Sequence, residues 1–376
     1  MCKRVLYEIP CINSVGGAHI ASANLISQLI ERGYHIDILT DSVPTADTRI
    51  RFGNPEFLVY DVSYSYLKRA LMWFWRKVFN TNLYPAFVLD FHRVLRRIML
   101  KYDTICVMSE RSKFRKVVAS LPTHVRKVQL IHTDYVNWFR SSAESKMITK
   151  DDICVYAKMN LIALVGRFNQ RAFNVTFPIL ADKTDFFYNV ITAKKTNSDI
   201  YLNKEKSLRI VTISRHDNIQ KASTRSVRIA ARLFKLGYSF TWDFIGEGYE
   251  EESEYIKKIG ADDNVRFLGN VNGASSLLPN YDLLALFSTS EGLPMVVFES
   301  LISGVPVVAT SLPGLMEQIN PLFGWLFPND EESIVCEMSH LLEHKESIWE
   351  CRKRVMNYRY DNESVIQHHL KMLGLA

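Results

Sequence analysis

The sequence contains few cysteines, and none lies where a disulfide framework or a metal site would need it. The 376-residue chain has six, with no C-x-x-C pair and no spacing typical of metal ligands. Isolated thiols of this kind are typical of reducing compartments, where cysteine acts as a small core residue. The sequence therefore argues against a disulfide-stapled secreted domain and against a structural zinc site. The six are Cys2, Cys11, Cys106, Cys154, Cys336 and Cys351.

Long hydrophobic runs are also missing. The longest apolar stretches, such as Leu283 to Phe287, are far shorter than the ~20 residues of a helix that spans a bilayer. The N-terminal "MCKRVLYEIPCINSVGG" has basic residues but lacks the apolar core of a signal peptide. We therefore expect a cytoplasmic protein.

Neither the charge nor the composition is extreme. The net charge is +6 and the hydrophobic fraction is 47%, which is ordinary for a globular protein. There is no internal repeat of fixed short period, no low-complexity tract, and no RNA- or DNA-binding motif beside the basic residues. No nucleic-acid partner is therefore expected. At ~150 residues per domain, the length of the chain predicts about two domains.

The pattern that is present is an alternation of strands and helices. The strand "KRVLYEIP", the glycine loop "CINSVGGAH", a helix that ends at Gly33 and the strand "YHIDILTD" form a βαβ unit, which predicts a parallel sheet. A second series begins with "LRIVTISR" at residue 208, after the polar stretch 192–207. We predict an α/β protein with domains at 1–191 and 208–355, a linker at 192–207 and a C-terminal helical segment at 356–376.

A buried helix with acidic residues is predicted from "EGLPMVVFES", residues 291–300. Proline suits the first turn of a helix and glycine its exit, so the helix should run from about Pro294 to Ser303, just before Gly304. The free N–H groups and the positive dipole end at its start form a natural phosphate site.

Two carboxylates flank this phosphate site. Side chains on a helix lean towards its N-terminus, so Glu299 should share a face with Met295 and Val296, while Glu291 approaches from the loop. Such a pair can accept hydrogen bonds from the vicinal hydroxyls of a sugar nucleotide. The alternative is a purely structural helix in which Glu299 bonds to a neighbouring loop, and the local chemistry leaves both readings open.

The segment "STSEGLPMVVFESLISGVPVVATSLPGLMEQI" resembles the E-x7-E region of the retaining, nucleotide-sugar-dependent glycosyltransferases of group 1, or family 4, which have the GT-B fold. Most of the chain fits this resemblance. "NSVGGAHIASANLISQLIERGYHIDILT" is similar to the family's N-terminal glycine loop, and "DFIGEGYEEESEYIKKIGADDNVRFLGNV" to its nucleotide-base segment. The resemblance implies two Rossmann-like domains that face a cleft, with the terminal helix packed back on the first domain.

The resemblance also assigns residues to the donor site. Glu299 would bind the ribose hydroxyls, and Glu291 would hold the donor sugar and the distal phosphate. Backbone groups of the loop and the start of the helix would assist Glu291. A pair of glycines would allow main-chain N–H groups to approach the pyrophosphate, since glycine has no side chain to block close contact. These further residues are Gly292, Leu293, Pro294 and Met295, and Gly16 and Gly17.

In "TISRHDNIQKAS", Arg215 and Lys221 match the family's basic pair and would neutralise the leaving diphosphate. The family usually has glycine where Ser214 and Ala222 stand here. His132 falls where the family often has a histidine that faces the donor sugar; the alternative is a satisfied loop histidine.

Four weaker candidates complete the set. Leu268, Gly269 and Val271 would line the base pocket, or simply end a strand, and Asp134 is a poorer candidate than His132.

In this family the new bond keeps the anomeric configuration of the donor, without a protein nucleophile and without a metal. The leaving diphosphate helps to deprotonate the incoming hydroxyl group. The sequence has no convincing D-x-D-type metal motif, since Asp262-Asp263 lies in a turn before a strand. We therefore expect no metal and no other cofactor.

One basic and aromatic segment suggests a location for the acceptor. Residues 64–102 contain eight Lys or Arg residues and a single acidic one, Asp90. Amphipathic helices of this kind bind anionic membrane surfaces, although they also cover sheets in ordinary cores. An anionic membrane is thus a candidate partner, at the inner face, beside a lipid-linked glycan acceptor.

The predicted activity is transfer of a hexose, with a UDP-sugar as the favoured donor, to a growing cell-surface glycan. Two alternatives stay open: an enzyme of another kind on the same fold, such as a nucleotide-sugar epimerase or a phosphorylase, and a non-catalytic partner subunit. A phosphorylase usually carries a pyridoxal lysine in a motif that this sequence lacks.

Overall fold

The computed structural model describes residues 3–14, 16–59, 94–108, 113–134, 150–193 and 207–376. The chain divides into two compact units. The first comprises Met1–Val165, Gln170–Val190 and Glu363–Ala376, and the second comprises Gly166–Asn169 and Ile191–Asn362. Most of the polar stretch predicted as a linker lies outside the described residues, as does most of the basic segment 64–102.

The first unit is built on a parallel sheet of seven described strands in the order β3-β2-β1-β4-β5-β6-β7. The five central strands are short and almost wholly buried, as expected for strands covered on both faces, whereas the edge strands β3 and β7 are only partly buried. The strands are β1 Arg4–Glu8, β2 His35–Thr40, β3 Glu56–Val59, β4 Thr104–Val107, β5 Arg126–Ile131, β6 Leu161–Val165 and β7 Thr184–Phe187.

Helices accompany these strands. Gly33 ends the first helix in a left-handed conformation, with φ of 83°, as predicted. The helices are α1 Gly17–Glu31, α2 Ala46–Arg51, α3 Lys113–Ala119, α4 Lys150–Ala157, α5 Arg167–Thr176 and a 3₁₀ turn at Pro178–Lys183. Residues 94–99 are helical as well.

The second unit has a parallel sheet of six described strands in the order β10-β9-β8-β11-β12-β13. A buried aromatic cluster that includes Trp242, Phe244 and Phe287 fills one side of this sheet. The strands are β8 Leu208–Ile213, β9 Phe240–Ile245, β10 Val265–Gly269, β11 Leu283–Leu286, β12 Val307–Thr310 and β13 Gly324–Phe327.

Apart from α12, whose residues from Glu363 onwards belong to the first unit, the remaining helices follow these strands, and the predicted α/β fold with two parallel sheets is confirmed. They are α6 Ser223–Lys235, α7 Glu250–Lys258, a 3₁₀ turn at Ala274–Asn280, α8 Met295–Ile302, α9 Pro313–Gln318, α10 Glu331–Glu343, α11 Lys345–Val355 and α12 Asn362–Leu373. None of the helices in the described ranges is both long enough and apolar enough to cross a lipid bilayer.

The two units share a polar arrangement at the start of their central strands. In the first unit the hydroxyl group of Tyr102 donates to the buried carboxylate of Asp37 in β2, at 2.7 Å. In the second unit Tyr281 donates to the buried Asp243 in β9, at 2.8 Å. Each tyrosine precedes the next central strand, β4 or β11, by two residues. The same geometry thus supplies a hydrogen bond to a buried acid in both sheets.

The residue after each tyrosine repeats as well. Asp103 accepts a hydrogen bond from the backbone N–H of Arg4 in β1, at 2.8 Å. Asp282 accepts one from the backbone N–H of Arg209 in β8, at 2.9 Å. The Tyr-Asp dipeptides therefore fix the amino-terminal edges of both sheets. Sequence analysis found no repeat because this one consists of a few separated residues.

Asp282 has an additional partner in the second unit. The fully buried guanidinium group of Arg352 donates to Asp282 at 3.0 Å and to the carbonyl oxygen of Tyr281 at 2.6 Å. Burial lowers the pKa of Arg352. The pairing anchors α11 against the start of β11.

We predict that Tyr102→Phe and Tyr281→Phe each reduce the free energy of unfolding by about 1.5–3 kcal/mol, because each removes a hydrogen bond to a buried carboxylate. Tyr255→Phe, at an exposed tyrosine, is the control and should change it by less than ~0.5 kcal/mol. Urea titrations of the three variants measure the difference. Equal midpoints for all three would contradict a stabilising role for the tyrosine–aspartate bonds.

Candidate functional site

The residues of the second unit that are predicted to bind the sugar donor lie beside the point in the sheet where the strand order reverses. β8 and β11 are neighbours, and successive strands are added outwards from them on opposite sides. In open α/β sheets ligands bind at the carboxyl ends of the strands beside such a point. The loop after β8 carries Arg215 and Lys221, and the loop after β11 carries Glu291.

Glu291 is buried and its side chain is fixed by two donors. The ammonium group of Lys221 lies 2.7 Å from Oε1 of Glu291. The hydroxyl group of the fully buried Ser288 donates to the same oxygen atom at 2.6 Å. Both recorded bonds use Oε1, so Oε2 is the oxygen that can accept from a ligand. Sequence analysis placed Glu291 and Lys221 at the site but missed Ser288.

Backbone contacts join the same two loops. The carbonyl oxygen of Gln220 accepts from the N–H of Thr289 at 2.8 Å and from its hydroxyl group at 3.1 Å. With the Lys221–Glu291 pair, these bonds set the position of one loop against the other.

The stretch from Glu291 to Pro294 packs closely on α9. A Cβ atom on Gly314 would lie only 1.8 Å from the carbonyl oxygen of Gly292, so a side chain at residue 314 would displace this loop. The side-chain amide of Gln318 donates to the carbonyl oxygen of Pro294 at 3.0 Å. Gly314 and Gln318 thus position the loop, and the quoted "LPGLMEQI" was the sequence signal for them.

Another amide holds the same loop from a separate segment. Nδ2 of Asn169 donates to the carbonyl oxygen of Gly292 at 3.1 Å. Asn169 belongs to residues 166–169, which group with this unit. Nothing in the sequence pattern around Asn169 predicted this contact.

The helix predicted after this loop is α8, and it begins one residue later than expected. Pro294 is the N-cap, with an extended ψ of 124°, and the helix runs from Met295 to Ile302. The prediction that Pro294 occupies the first helical turn was therefore wrong by one position. The N-cap supplies no side-chain hydrogen bond and the first turn contains no acidic residue. The positive dipole end of α8 is thus left for an external anion.

Glu299 lies one turn into α8, four residues after Met295, and is half-buried. Among the described residues its carboxyl group has no hydrogen-bond partner, and burial raises its pKa to about 7. The structural alternative, a bond to a neighbouring loop, is absent from the described part of the chain. An uncompensated buried carboxylate is unfavourable, which is typical of a group that awaits a ligand.

The loop after β8 is organised by its own side chains. Asp217 accepts from the N–H groups of Ile219 and Gln220, at 2.9 and 2.8 Å, and these bonds contribute to its lowered pKa. The exposed guanidinium group of Arg215 lies 3.1 Å from Asp217. Arg215 therefore sits at the surface of the site, on a loop whose shape is already fixed.

The two positions where the family usually has glycine show how this chain differs. Ala222 adopts a left-handed conformation, with φ of 49° and ψ of 47°, which glycine tolerates at lower cost. Ser214 packs against Gly246, where an added Cβ atom would lie 2.0 Å from the carbonyl oxygen of Ser214. Ala222 thus adopts the left-handed backbone conformation that a glycine would adopt more easily, and the alanine backbone is somewhat strained there.

A further contact that the sequence did not reveal supports this loop. The ring of His216 bonds through Nε2 to the buried Glu252 at 2.9 Å, and Thr224 donates to the same carboxylate oxygen at 2.5 Å. These bonds contribute to the lowered pKa of Glu252, against the opposing effect of its burial. His216 also stacks edge-on against Tyr249.

The predicted base-pocket residues lie at the end of β10. Leu268 is largely exposed there, whereas Val271 packs partly against the core. Gly269 has φ of 67°, and its carbonyl oxygen accepts from Gly246 at 2.8 Å. The loops after β9 and β10 are thus joined, and a base contact by Leu268 and Val271 stays a prediction.

The remaining predicted residues belong to the first unit. Gly16 is the N-cap of α1 and Gly17 its first residue, and neither has a positive φ. Within the described residues, a Cβ atom on Gly17 would meet nothing within 4 Å. These residues therefore do not themselves require glycine at residue 17, which agrees with a need for space beside a ligand. Contact of the pair with a pyrophosphate stays a prediction.

His132 lies at the end of β5 and packs edge-on against Phe187. Burial lowers its pKa to about 3, so the imidazole is neutral. Its Nε2 atom has no hydrogen-bond partner within the described ranges. His132 and His369 line the same small cavity. Its contact with a donor sugar remains a prediction, and Asp134 is buried two residues further on.

The raised pKa of Glu299 predicts a measurable pH dependence of stability. In the folded protein this carboxyl group keeps its proton up to about pH 7, whereas its ordinary pKa is 4.5. Its contribution to stability therefore falls as the pH rises from 4.5 through about 7. Glu299→Gln cannot titrate, so its melting temperature relative to wild type should be higher at pH 8 than at pH 5.

Differential scanning fluorimetry at both values measures this difference. Glu254→Gln, at an exposed glutamate of α7, serves as the control and should show no such trend. A difference for Glu299→Gln that stays constant with pH would mean that Glu299 is not buried as described.

Comparison with known proteins connects this geometry to a family. Residues 193–360 match the family model described as glycosyl transferases group 1. A glycosyltransferase of Haemophilus influenzae is 21% identical over 91% of this chain and 88% of its own length. The N-acetyl-alpha-D-glucosaminyl L-malate synthase of Bacillus anthracis is 22% identical over 83% of this chain and 80% of its own.

Solved structures agree with the fold. Anabaena HepE in complex with UDP and glucose matches with a TM-score of 0.76 at 17% identity, over the full length of both chains. The lipopolysaccharide outer core galactosyltransferase WaaB matches with a TM-score of 0.67 at 15% identity, over 97% of this chain and 99% of its own. The second part of the chain is thus similar to the glycosyl transferases group 1 family, and the two parallel-sheet units have the fold of GT-B glycosyltransferases.

Proposed function

We propose that this protein is a retaining glycosyltransferase that moves a hexose from a nucleotide-sugar to a growing cell-surface glycan. The observation that carries the proposal is the pair of carboxylates around α8. Glu291 is held by Lys221 and Ser288 with one oxygen available, and Glu299 has no partner in the described chain although burial raises its pKa. Between them lies a helix start without a side-chain cap.

Each part of a nucleotide-sugar has a partner in this proposal. Glu299 accepts from the ribose hydroxyls, and Oε2 of Glu291 accepts from hydroxyls of the donor sugar. The N-terminus of α8 binds the distal phosphate. In relatives the donor type is explicit, since HepE was crystallised with UDP and with UDP-glucose. We therefore favour a UDP-sugar as the donor.

The chemistry needs one bond exchange. The bond between the anomeric carbon and the phosphate oxygen breaks, and the acceptor oxygen bonds to the same face of that carbon. The acceptor proton passes to an oxygen of the departing diphosphate. Arg215 and Lys221 stabilise the negative charge that develops there. We propose that these cations and α8 do this without a metal ion or other cofactor.

The acceptor is proposed from relatives named for their products. WaaB is described as a lipopolysaccharide outer core galactosyltransferase, and WbnH of Escherichia coli as an O-antigen biosynthesis glycosyltransferase that is 31% identical over 29% of this chain. A lipid-linked glycan at the cytoplasmic face of a membrane is the acceptor that fits both names.

Donor binding is tested by protection against thermal unfolding with a panel of UDP-, GDP- and ADP-sugars. A ligand that binds only the folded state adds about 2.7 kcal/mol at a hundredfold excess over Kd. We expect a rise in melting temperature with UDP-sugars, its loss in Glu299→Ala, and its retention in the control Glu254→Ala.

The outcomes separate the alternatives. Transfer to a glycan acceptor, with the donor's anomeric configuration kept in the product by NMR and with activity unchanged in EDTA, supports the proposal. Binding without transfer indicates a non-catalytic partner subunit, and interconversion of the nucleotide-sugar itself indicates an epimerase. No protection by any nucleotide-sugar would contradict the donor site.

We also propose that residues 64–102 dock the protein on an anionic membrane, on the basis of their eight basic residues. Flotation with liposomes measures this docking. Protein should float with vesicles that contain about a third phosphatidylglycerol and stay behind with pure phosphatidylcholine. It should also be released by high salt, since screening weakens such attraction. Equal flotation with both kinds of vesicle would contradict the docking proposal.

A further inference from the structure

A cluster of metal-ligating side chains lies at the C-terminal end of α10, outside the proposed donor site. His340, Glu343 and His344 are all exposed, and their candidate ligand atoms lie within 4.8 Å of one another. His340 lies in the last turn of α10, and His344, four residues later, is the C-cap of this helix. Their ring centroids are 4.3 Å apart.

One imidazole is already oriented by the backbone. Nδ1 of His344 lies 3.0 Å from the carbonyl oxygen of His340, which can only accept a hydrogen bond. His344 therefore carries its proton on Nδ1, and the lone pair of Nε2 is available. A backbone carbonyl that fixes the tautomer in this way is a frequent partner of metal-bound histidines.

The carboxylate is oriented as well. The hydroxyl group of Tyr238, in the loop after α6, donates to Oε1 of Glu343 at 2.6 Å. Oε2 of Glu343 is left for another partner. Two of the three ligands thus have a second contact that sets their direction.

The surroundings favour a cation. The last carbonyl groups of a helix form the negative end of its dipole, and α10 ends at Glu343. The neighbouring ammonium group of Lys345 is directed towards the carbonyl oxygen of Ser239, at 3.5 Å.

We propose that His340, Glu343 and His344 bind a divalent transition-metal ion of the zinc, nickel and copper group. Imidazole nitrogen atoms combined with one carboxylate suit these ions rather than calcium or magnesium. Because the side chains are exposed, small rotations bring their ligand atoms to the ~2.0–2.1 Å that bonds to these metals require. Water completes the coordination.

The place of this site in the fold indicates a structural role. α10 follows β13 and runs back along the sheet, so its end lies beside Tyr238 and Ser239, just before β9 begins. That is the amino edge of the sheet, whereas Glu291 follows the carboxyl end of β11. The metal would fix the corner at His344, which ends α10 and precedes α11.

The test uses the full chain without a histidine tag, freed of metal by chelation, with Zn²⁺ and Ni²⁺ as probes in isothermal titration calorimetry. We expect one site per chain, and affinity at least about tenfold weaker in His340→Ala and in His344→Ala. Removal of an orienting contact commonly costs about tenfold or more, so Tyr238→Phe should also weaken binding. Circular dichroism confirms that each variant is folded.

Two matched controls complete the design. His124→Ala removes an exposed histidine of the first unit, and Glu337→Gln removes an exposed glutamate of α10; both should bind as wild type does. Zn²⁺ should raise the melting temperature of wild type and of the controls, but not of His340→Ala. Unchanged affinity in both His340→Ala and His344→Ala would overturn the proposal, as would an equal loss in His124→Ala.

Discussion

The second unit depends on the neutralisation of one buried carboxylate by two loops that are far apart in the sequence. Glu291 is 3% exposed, and burial of a charge is tolerated only when it is paired and hydrogen-bonded. Lys221 supplies the charge from the loop after β8, and Ser288 supplies the hydroxyl group from the loop after β11. Because these loops follow neighbouring strands on either side of the topological change, the ion pair fixes the two sides of the proposed site together. The position of Arg215 follows from this, since it lies on the same loop as Lys221.

Glu299 shows the opposite condition in the same region. Glu299 has no hydrogen-bond partner among the described residues, and burial raises its pKa. Glu291 is therefore already paired in the ligand-free chain, whereas in the proposed site Glu299 would gain its hydrogen bonds from the ligand. A site built in this way favours hydroxyl groups at Glu299, because a ligand that leaves this group unpaired recovers none of the cost of its burial. The ribose of a nucleotide provides two such hydroxyl groups.

The sequence predicted what depends on local pattern. The βαβ order, the two parallel sheets and the helix from Met295 to Ile302 follow from apolar periodicity and from Pro and Gly signals, and the start of that helix was missed by one residue. Side-chain contacts of the site were not predictable: no pattern near Ser288, three residues before Glu291, or near the distant Asn169 indicates that they bond to Glu291 and Gly292. The cluster at the end of α10 was overlooked for another reason. Its histidines are separated by helical rather than zinc-finger spacing, and only the fold shows that Tyr238 orients the glutamate between them.

The amino edges of the two sheets carry stabilising contacts, whereas the carboxyl edge of the second sheet carries the groups of the proposed site. At the amino edges the buried acids Asp37 and Asp243 each bond to a tyrosine and to an arginine, Arg4 or Arg266. These buried carboxylates are already paired with a cation, and removal of the arginine would leave an unpaired buried charge. At the carboxyl edge of the second sheet, by contrast, Glu291 keeps a free oxygen, Glu299 lacks a partner and α8 lacks a cap. Unsatisfied buried polar groups lower stability, so their presence together at one edge of the sheet is consistent with the proposed ligand site. Since a metal at His340 and His344 would bind at the amino edge, it would add to the stabilising contacts there and leave the proposed chemistry unchanged.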